Sequence, residues 1–124
     1  MNATQFTDQL RKAFPELRRD IEEGPDLIHV QARALARMTQ AAIGRQNASA
    51  FTRCTGFMER AFRDGDKDVR DAVYVSYLEE LRFDEASGAA AFACLPAGLL
   101  QGWHEVMDHL RELDRKAAEG RSTP

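Results

Sequence analysis

The chain has 124 residues, of which 44% are hydrophobic and 30% charged, and its formal net charge at pH 7 is −3. This length fits one folded globular domain, and the slight acidity argues against nucleic acid as the main partner, because phosphate binding needs a concentrated basic surface. No window approaches the ~18 apolar residues of a membrane span, and the polar N-terminus lacks the apolar core of a signal peptide. We therefore expect a cytoplasmic protein that binds neither nucleic acid nor membrane.

The first predicted helix is amphipathic and short. Thr4 is its expected cap, and Phe6, Leu10 and Phe14 fall at helical intervals along one face. Pro15 then interrupts the pattern, because proline lacks a backbone donor and disfavours helical geometry in the residue before it.

The second and third predicted helices have clear start and stop signals. Pro25 and Asp26 open the second and Gly44 ends it, whereas Asn47 caps the third and the pair at 64 and 65 ends it. Their expected buried faces are Leu27, Ile28, Val30, Leu35, Met38, Ala42 and Ile43 in the second helix, and Phe51, Cys54, Met58, Ala61 and Phe62 in the third.

Residues 66–82, here called the central segment, open with Asp66 as a helix cap and continue into an apolar run from Val73 to Leu78. The β-branched and aromatic residues of that run would also suit a strand. However, the segment is about sixteen residues long, which is too long for an ordinary strand, and no second strand-like run could pair with it. The sequence predicts a helix that is apolar around most of its circumference and packs at the centre of the fold.

The remaining chain predicts one short and one long helix. Asp84 is the expected cap of the short helix from Glu85 to Cys94, and the long helix runs from about Pro96 to Ala118. Its expected inward residues are Leu99, Leu100, Trp103, Val106, Met107, Leu110 and Leu113. With residues 119–124 as a disordered tail, residues 1–124 form a single all-α domain, a compact bundle of five or six helices.

The two cysteines, Cys54 and Cys94, have mostly apolar or small neighbours and form no Cys-x-x-Cys motif. Buried free thiols are therefore expected, although a disulfide between them stays an open alternative. A nucleophilic thiol would need a nearby histidine and a cationic setting, and the mostly apolar or small neighbours favour core packing instead.

Acidic residues are concentrated in one stretch, which holds eight acidic and three basic residues between Asp64 and Glu85. A solvated acidic face is one interpretation, and a surface for a basic protein partner is the other. For the second interpretation, the predicted partner-binding residues are Asp64, Asp66, Asp68, Asp71, Tyr77, Glu79 and Glu80, with Tyr77 as an aromatic anchor. Tyr74 and Tyr77 are three residues apart and should share one side of a helix, where core packing is the alternative for both.

Two other classes of function stay open. A small-ligand or metal-binding protein, with hydrolysis as an extension, would use Glu79 and Glu80 together with His104 and Asp108. The spacing of His104 and His109 does not match the four-residue separation of a zinc-binding histidine pair, so no metal, cofactor or catalytic residue is predicted. A homodimer that covers an apolar face of the last helix is the third hypothesis.

Residues 66–73, which follow the predicted helix from Asn47 to Arg63, resemble the second helix of a HEAT-type helical hairpin. The resemblance implies that Asp66 begins the helix, that Val69 and Ala72 pack inward, and that Arg70 ties neighbouring units together. The motif occurs once, which implies a single hairpin rather than a repeat array.

The whole chain is also similar to small uncharacterised bacterial helical proteins that are often encoded near toxins, some of which look like immunity factors. The similarity lies in residues 14–17, in residues 75–79, and in the Leu95-Pro96 pair followed by Trp103. It implies non-enzymatic protein binding and transfers no catalytic residue.

Overall fold

The computed structural model describes residues 1–23 and 27–121. Within these ranges the protein has seven α-helices and no strand, so the predicted all-α class is confirmed. The helices are α1 (Ala3–Ala13), α2 (Arg18–Glu23), α3 (Ile28–Gly44), α4 (Ala48–Asp64), α5 (Lys67–Ala72), α6 (Gly88–Ala93) and α7 (Ala97–Arg121). None of these helices combines the length and the apolar character that crossing a membrane requires.

Helix α1 begins at a capping box rather than at Thr4. The Asn2 side chain accepts a hydrogen bond from the backbone N–H of Gln5, and the Gln5 side chain accepts one from the backbone N–H of Asn2, both at 2.9 Å. This reciprocal pair satisfies two free donors of the first turn, so the predicted Thr4 cap is wrong. The break at Pro15 is confirmed, since one 3-10 turn, Pro15–Leu17, separates α1 from α2.

The structure tests the predicted cap of the third helix, but it does not test the predicted start of the second. Pro25 and Asp26, which were expected to open the second helix, lie outside the described residues, and α3 begins at Ile28. The Asn47 side chain accepts from the N–H of Ala50 at 3.1 Å, so its predicted role as the cap of α4 is confirmed.

One apolar core joins α1 to the helices α3 and α4. Phe6 and Phe14 both meet Phe57 edge to face, with ring centroids 5.7 and 5.6 Å apart. Cys54 is buried in this core as expected, and burial raises the pKa of its thiol. Cys94 is exposed at the end of α6, which corrects the prediction for that thiol, and both cysteines are free.

The central segment is helical from Lys67 to Glu80, which confirms the prediction of a helix over a strand. Asp66 caps it by accepting from the N–H of Val69 at 3.0 Å. Its winding changes along its length, from α5 through a π turn, Val73–Tyr77, to a 3-10 turn, Leu78–Glu80. Hydrogen bonds in a π turn span five residues, so each residue advances by a smaller angle than in an α-helix.

A buried hydrogen-bond chain holds the π turn against α3. The Tyr77 hydroxyl lies 2.8 Å from Thr39 Oγ1, and Thr39 Oγ1 donates to the Leu35 carbonyl oxygen at 2.8 Å. Because the Thr39 hydroxyl has one proton, Tyr77 is the donor in the first bond. The helix ends shortly after, because the Gln40 side chain binds the backbone N–H and C=O of Arg82 at 2.8 and 3.1 Å and holds the chain extended there.

Helix α7 is anchored through a carboxylate on α4. The two oxygens of Glu59 accept from the backbone N–H groups of Gly98 and Leu99 at 3.0 and 2.9 Å. A Cβ at Gly98 would lie 2.5 Å from Glu59 Oε1, and one at Gly102 would lie 3.0 Å from Leu78 Cδ1. The two glycines therefore allow the close approach of α7, which offsets their poor helix propensity.

Several predicted core positions and boundaries are wrong. Leu27 precedes the first turn of α3, Val30 lies on the outer side of that helix, and Leu113 lies in the solvent-exposed C-terminal part of α7, so all three are exposed. Asp84 caps no helix, because α6 starts only at Gly88, after a turn that binds the Gly88 N–H to the Glu85 carbonyl. Helix α7 continues to Arg121, so residues 119–121 are helical, and the rest of the expected tail lies outside the described residues.

The HEAT-like hairpin stays a resemblance. Asp66 begins the helix, and Val69 and Ala72 are buried as the resemblance implies. Arg70, however, donates to the Phe62 carbonyl oxygen at 2.7 Å and lies 4.5 Å from the centroid of the Phe62 ring. It therefore ties the central segment to the helix directly before it.

The two tyrosines offer a matched test of the buried hydrogen-bond chain. Tyr77→Phe should lower the free energy of unfolding by about 1 kcal/mol, because a fully buried hydrogen bond is lost. Tyr74→Phe removes a hydroxyl that bonds at the surface and should cost clearly less. Urea unfolding followed by circular dichroism measures the stability of both variants. Equal losses of stability would contradict the proposed importance of the buried hydrogen bonds.

The anchoring of α7 is tested by Glu59→Ala. Loss of the cap leaves two backbone donors without their carboxylate, so the free energy of unfolding should fall by about 1–2 kcal/mol. Glu22→Ala is the control, since within the described residues Glu22 forms an exposed ion pair with Arg18, whose loss should change stability little. Denaturant unfolding measures both variants, and the absence of a difference between them would refute the capping role of Glu59.

Candidate functional site

A groove runs between the central segment and α7. It has a volume of about 220 Å³ and is lined by Tyr74, Val75, Glu79, Glu105, Val106 and His109. Val75 is 51% exposed, although Val73 and Ser76 beside it are fully buried. The groove therefore combines an exposed aliphatic side chain with two carboxylates and one imidazole.

Tyr74 is held in the wall of the groove by contacts on both sides. Its hydroxyl donates to Glu105 Oε2 on α7 at 2.6 Å, and its ring meets Phe62 edge to face at 5.0 Å. Partial burial and the neighbouring Glu105 carboxylate raise the pKa of the Tyr74 phenol, because both disfavour the phenolate. At neutral pH the hydroxyl is thus a donor to a fixed carboxylate, and this bond links the two walls of the groove.

Tyr77 cannot serve as the predicted aromatic anchor. Its side chain is 0% exposed, and burial raises the pKa of its phenol. The sequence places Tyr74 and Tyr77 on one side of a regular helix, but the π turn separates them, so that only Tyr74 reaches the groove. Tyr74 and Tyr77 are three residues apart in a mostly apolar run, so the sequence does not show which of them is exposed and which is buried.

The predicted acidic residues fall into two groups. Asp64 and Asp66 lie just before α5, and Asp68 and Asp71 lie within it. The Asp66 carboxylate is used as a helix cap, and Asp71 accepts from Lys67 Nζ at 2.9 Å. Asp64 and Asp68 are exposed, so they are the members of this group with the most freedom to meet a partner.

Glu79 and Glu80 form the second group, at the other end of the central segment. Glu79 lies eight residues beyond Asp71, about 12 Å along a helix axis. It lines the groove, whereas Glu80 lies 3.7 Å from the Arg33 guanidinium in a half-exposed ion pair. The acidic face is therefore one groove residue, one paired residue and a separate group at the start of α5.

His104 and Asp108, which belong to the small-ligand alternative, contact different neighbours. The His104 ring packs against Trp103 and Phe92, with centroids 5.5 and 6.0 Å away. Asp108 pairs with Arg111 at 3.1 Å within α7. In the part of the chain that the structure describes, no group of three or more His, Cys, Asp or Glu side chains could hold a metal ion.

Of the six residues that line the groove, only Glu79 was among the predicted partner-binding residues. Glu105, Val106 and His109 belong to α7, and the sequence assigned Val106 to the core. Glu105 and His109 are four residues apart and Val106 and His109 are three apart, so His109 lies next to each of the other two on the helix surface, which is a readable signal. That this face meets Tyr74 and Val75 depends on the packing of α7, which local spacing does not determine.

Comparison with known proteins places the chain in one family. Residues 7–111, which include every residue of the groove, match the family described as Domain of unknown function (DUF7674). No curated protein and no solved structure matches the chain. Because the match covers most of the sequence, the chain belongs to the DUF7674 family, a domain of unknown function.

Proposed function

We propose that the protein is a non-enzymatic protein-binding module and that the groove between the central segment and α7 receives a basic segment of its partner. One observation carries the proposal, namely the 51% exposure of Val75 in a groove whose polar wall includes Glu79 and Glu105. An apolar side chain of the partner gains by covering Val75 and Val106, because burial of apolar surface contributes about 25 cal/mol per Å². Lysine or arginine side chains beside it would meet the two glutamates.

The charges around the groove favour the same kind of partner. Asp64 and Asp68, at the start of the central segment, have the same sign as Glu79, and the stretch from 64 to 85 carries a clear excess of acidic residues. Such a field raises the rate of encounter with a basic partner more than it raises the final affinity. Binding should therefore weaken with salt, since these side chains are exposed to screening.

A regulatory or immunity role is one form that this binding would take. A factor that covers the basic surface of another protein needs an acidic surface of fixed shape and no catalytic group. The groove supports such a role, because its two walls are linked by the bond between Tyr74 and Glu105. The cytoplasmic location and a homodimer through α7 remain predictions from the sequence.

A synthetic amphipathic helical peptide of leucine and lysine serves as the probe of the proposed chemistry. We expect it to bind the protein with an affinity that falls as salt rises, and a matched peptide with glutamate in place of lysine should not bind. Glu79→Lys should weaken binding about tenfold, because repulsion at the rim replaces attraction. Isothermal titration calorimetry measures each affinity.

Asp8→Lys is the matched control, since Asp8 is also an exposed acid but lies on α1. It changes the net charge by the same amount and should leave the affinity within about twofold. Equal losses in the two variants would show that net charge, and not the groove, attracts the peptide. Equal binding of the acidic peptide would also overturn the proposal.

A further inference from the structure

A second cavity lies on a different side of α7. Its volume is about 530 Å³, and it is an open depression bordered by the loop after the central segment, by α6 and by α7. Phe83, Phe92, Trp103 and Met107 provide most of its apolar lining, and Arg82 and Asp84 add charged groups. This volume and a mostly apolar lining with few polar groups are typical of small-molecule sites.

Three aromatic rings make one rigid wall of the cavity. Phe83, Phe92 and Trp103 meet pairwise edge to face, with centroid distances of 5.1 to 5.8 Å. Each pair of this geometry adds to the energy of apolar burial. The rings thus fix one another, and an apolar ligand would meet a surface that is already formed.

The loop that carries Arg82 and Phe83 is also fixed. Gln40 binds both backbone groups of Arg82, as described above. Gly88 lies so close to Phe83 that a Cβ there would be 2.1 Å from the Phe83 carbonyl oxygen. A cavity wall held by these contacts needs little ordering when a ligand arrives, which lowers the cost of binding.

Trp103 lines this cavity, and its indole nitrogen, which is shielded from solvent, is the unexplained feature nearby. Among the described residues, Trp103 Nε1 is the one buried side-chain nitrogen or oxygen that has no hydrogen-bond partner. A buried donor without a partner costs about 1–3 kcal/mol. An acceptor brought by a ligand would remove that cost.

We propose that this cavity binds a small aromatic carboxylate. The flat body of the ligand lies against the aromatic wall, and the carboxylate accepts a hydrogen bond from Trp103 Nε1–H and meets the Arg82 guanidinium. Arg82 is suited to this role, because its exposed side chain has no ion pair or hydrogen bond within residues 1–23 and 27–121. Because the indole nitrogen is shielded, this mode of binding requires a local side-chain movement that opens it to the acceptor.

The chain contains one tryptophan, so a ¹⁵N-labelled sample gives a single indole N–H resonance that reports on this cavity. Titration with 2-naphthoate should move that resonance downfield in a saturable manner. 2-Naphthamide, which keeps the acceptor without the charge, should produce the same shift with weaker binding. The cation 2-naphthylmethylammonium, which has no acceptor and would be repelled by the Arg82 guanidinium, should bind more weakly and should not move the resonance downfield.

Arg82→Gln separates the charge from the apolar contact. It should weaken the binding of 2-naphthoate about tenfold and leave that of 2-naphthamide within about twofold. Arg45→Gln changes another exposed arginine and should alter neither. An unmoved indole resonance with 2-naphthoate, or equal binding of the cation, would overturn the proposal, as would equal losses in the two arginine variants.

Discussion

The buried hydroxyl of Tyr77 needs a hydrogen-bond partner, and the bond it forms with Thr39 determines how the centre of the protein is arranged. The Thr39 hydroxyl in turn donates to the Leu35 carbonyl oxygen, so two consecutive hydrogen bonds join the central segment to α3. Both side chains are fully buried, so no water can take the place of either partner. The π turn lies at this bond, where a regular α-helix would place Tyr77 at a different angle.

The same turn produces the surface that the proposed function uses. Because Tyr77 turns inward, Tyr74 and Val75 face α7 and the solvent, and they become one wall of the groove. Helix α7 supplies the other wall, and its position depends on Glu59 at its first turn and on Gly102 at its closest approach. The groove is thus a consequence of two packing constraints, the inward position of Tyr77 and the close approach of α7.

Some local features were predictable from the sequence, although the predicted caps at Thr4 and Asp84 were wrong, and features that depend on distant partners were not predictable. The caps at Asn47 and Asp66 were predicted because each side chain bonds to an amide three residues away. The end of the central segment was not, because it depends on Gln40, which lies 42 positions from Arg82. The acidic character of the site follows from composition, whereas the choice of Tyr74 over Tyr77 depends on a π turn that periodicity cannot reveal.

Spectrophotometric titration of the Tyr74→Phe variant tests the central claim most directly, because Tyr77 is then the one remaining tyrosine. Burial raises the pKa of Tyr77 in the folded protein, so ionisation favours the unfolded chain and stability falls as pH rises past the ordinary tyrosine value of about 10. The predicted result is that phenolate absorbance develops only together with the loss of helical circular dichroism. Reversible ionisation near pH 10 in a protein that keeps its native circular dichroism would contradict the buried hydrogen bond on which the groove depends.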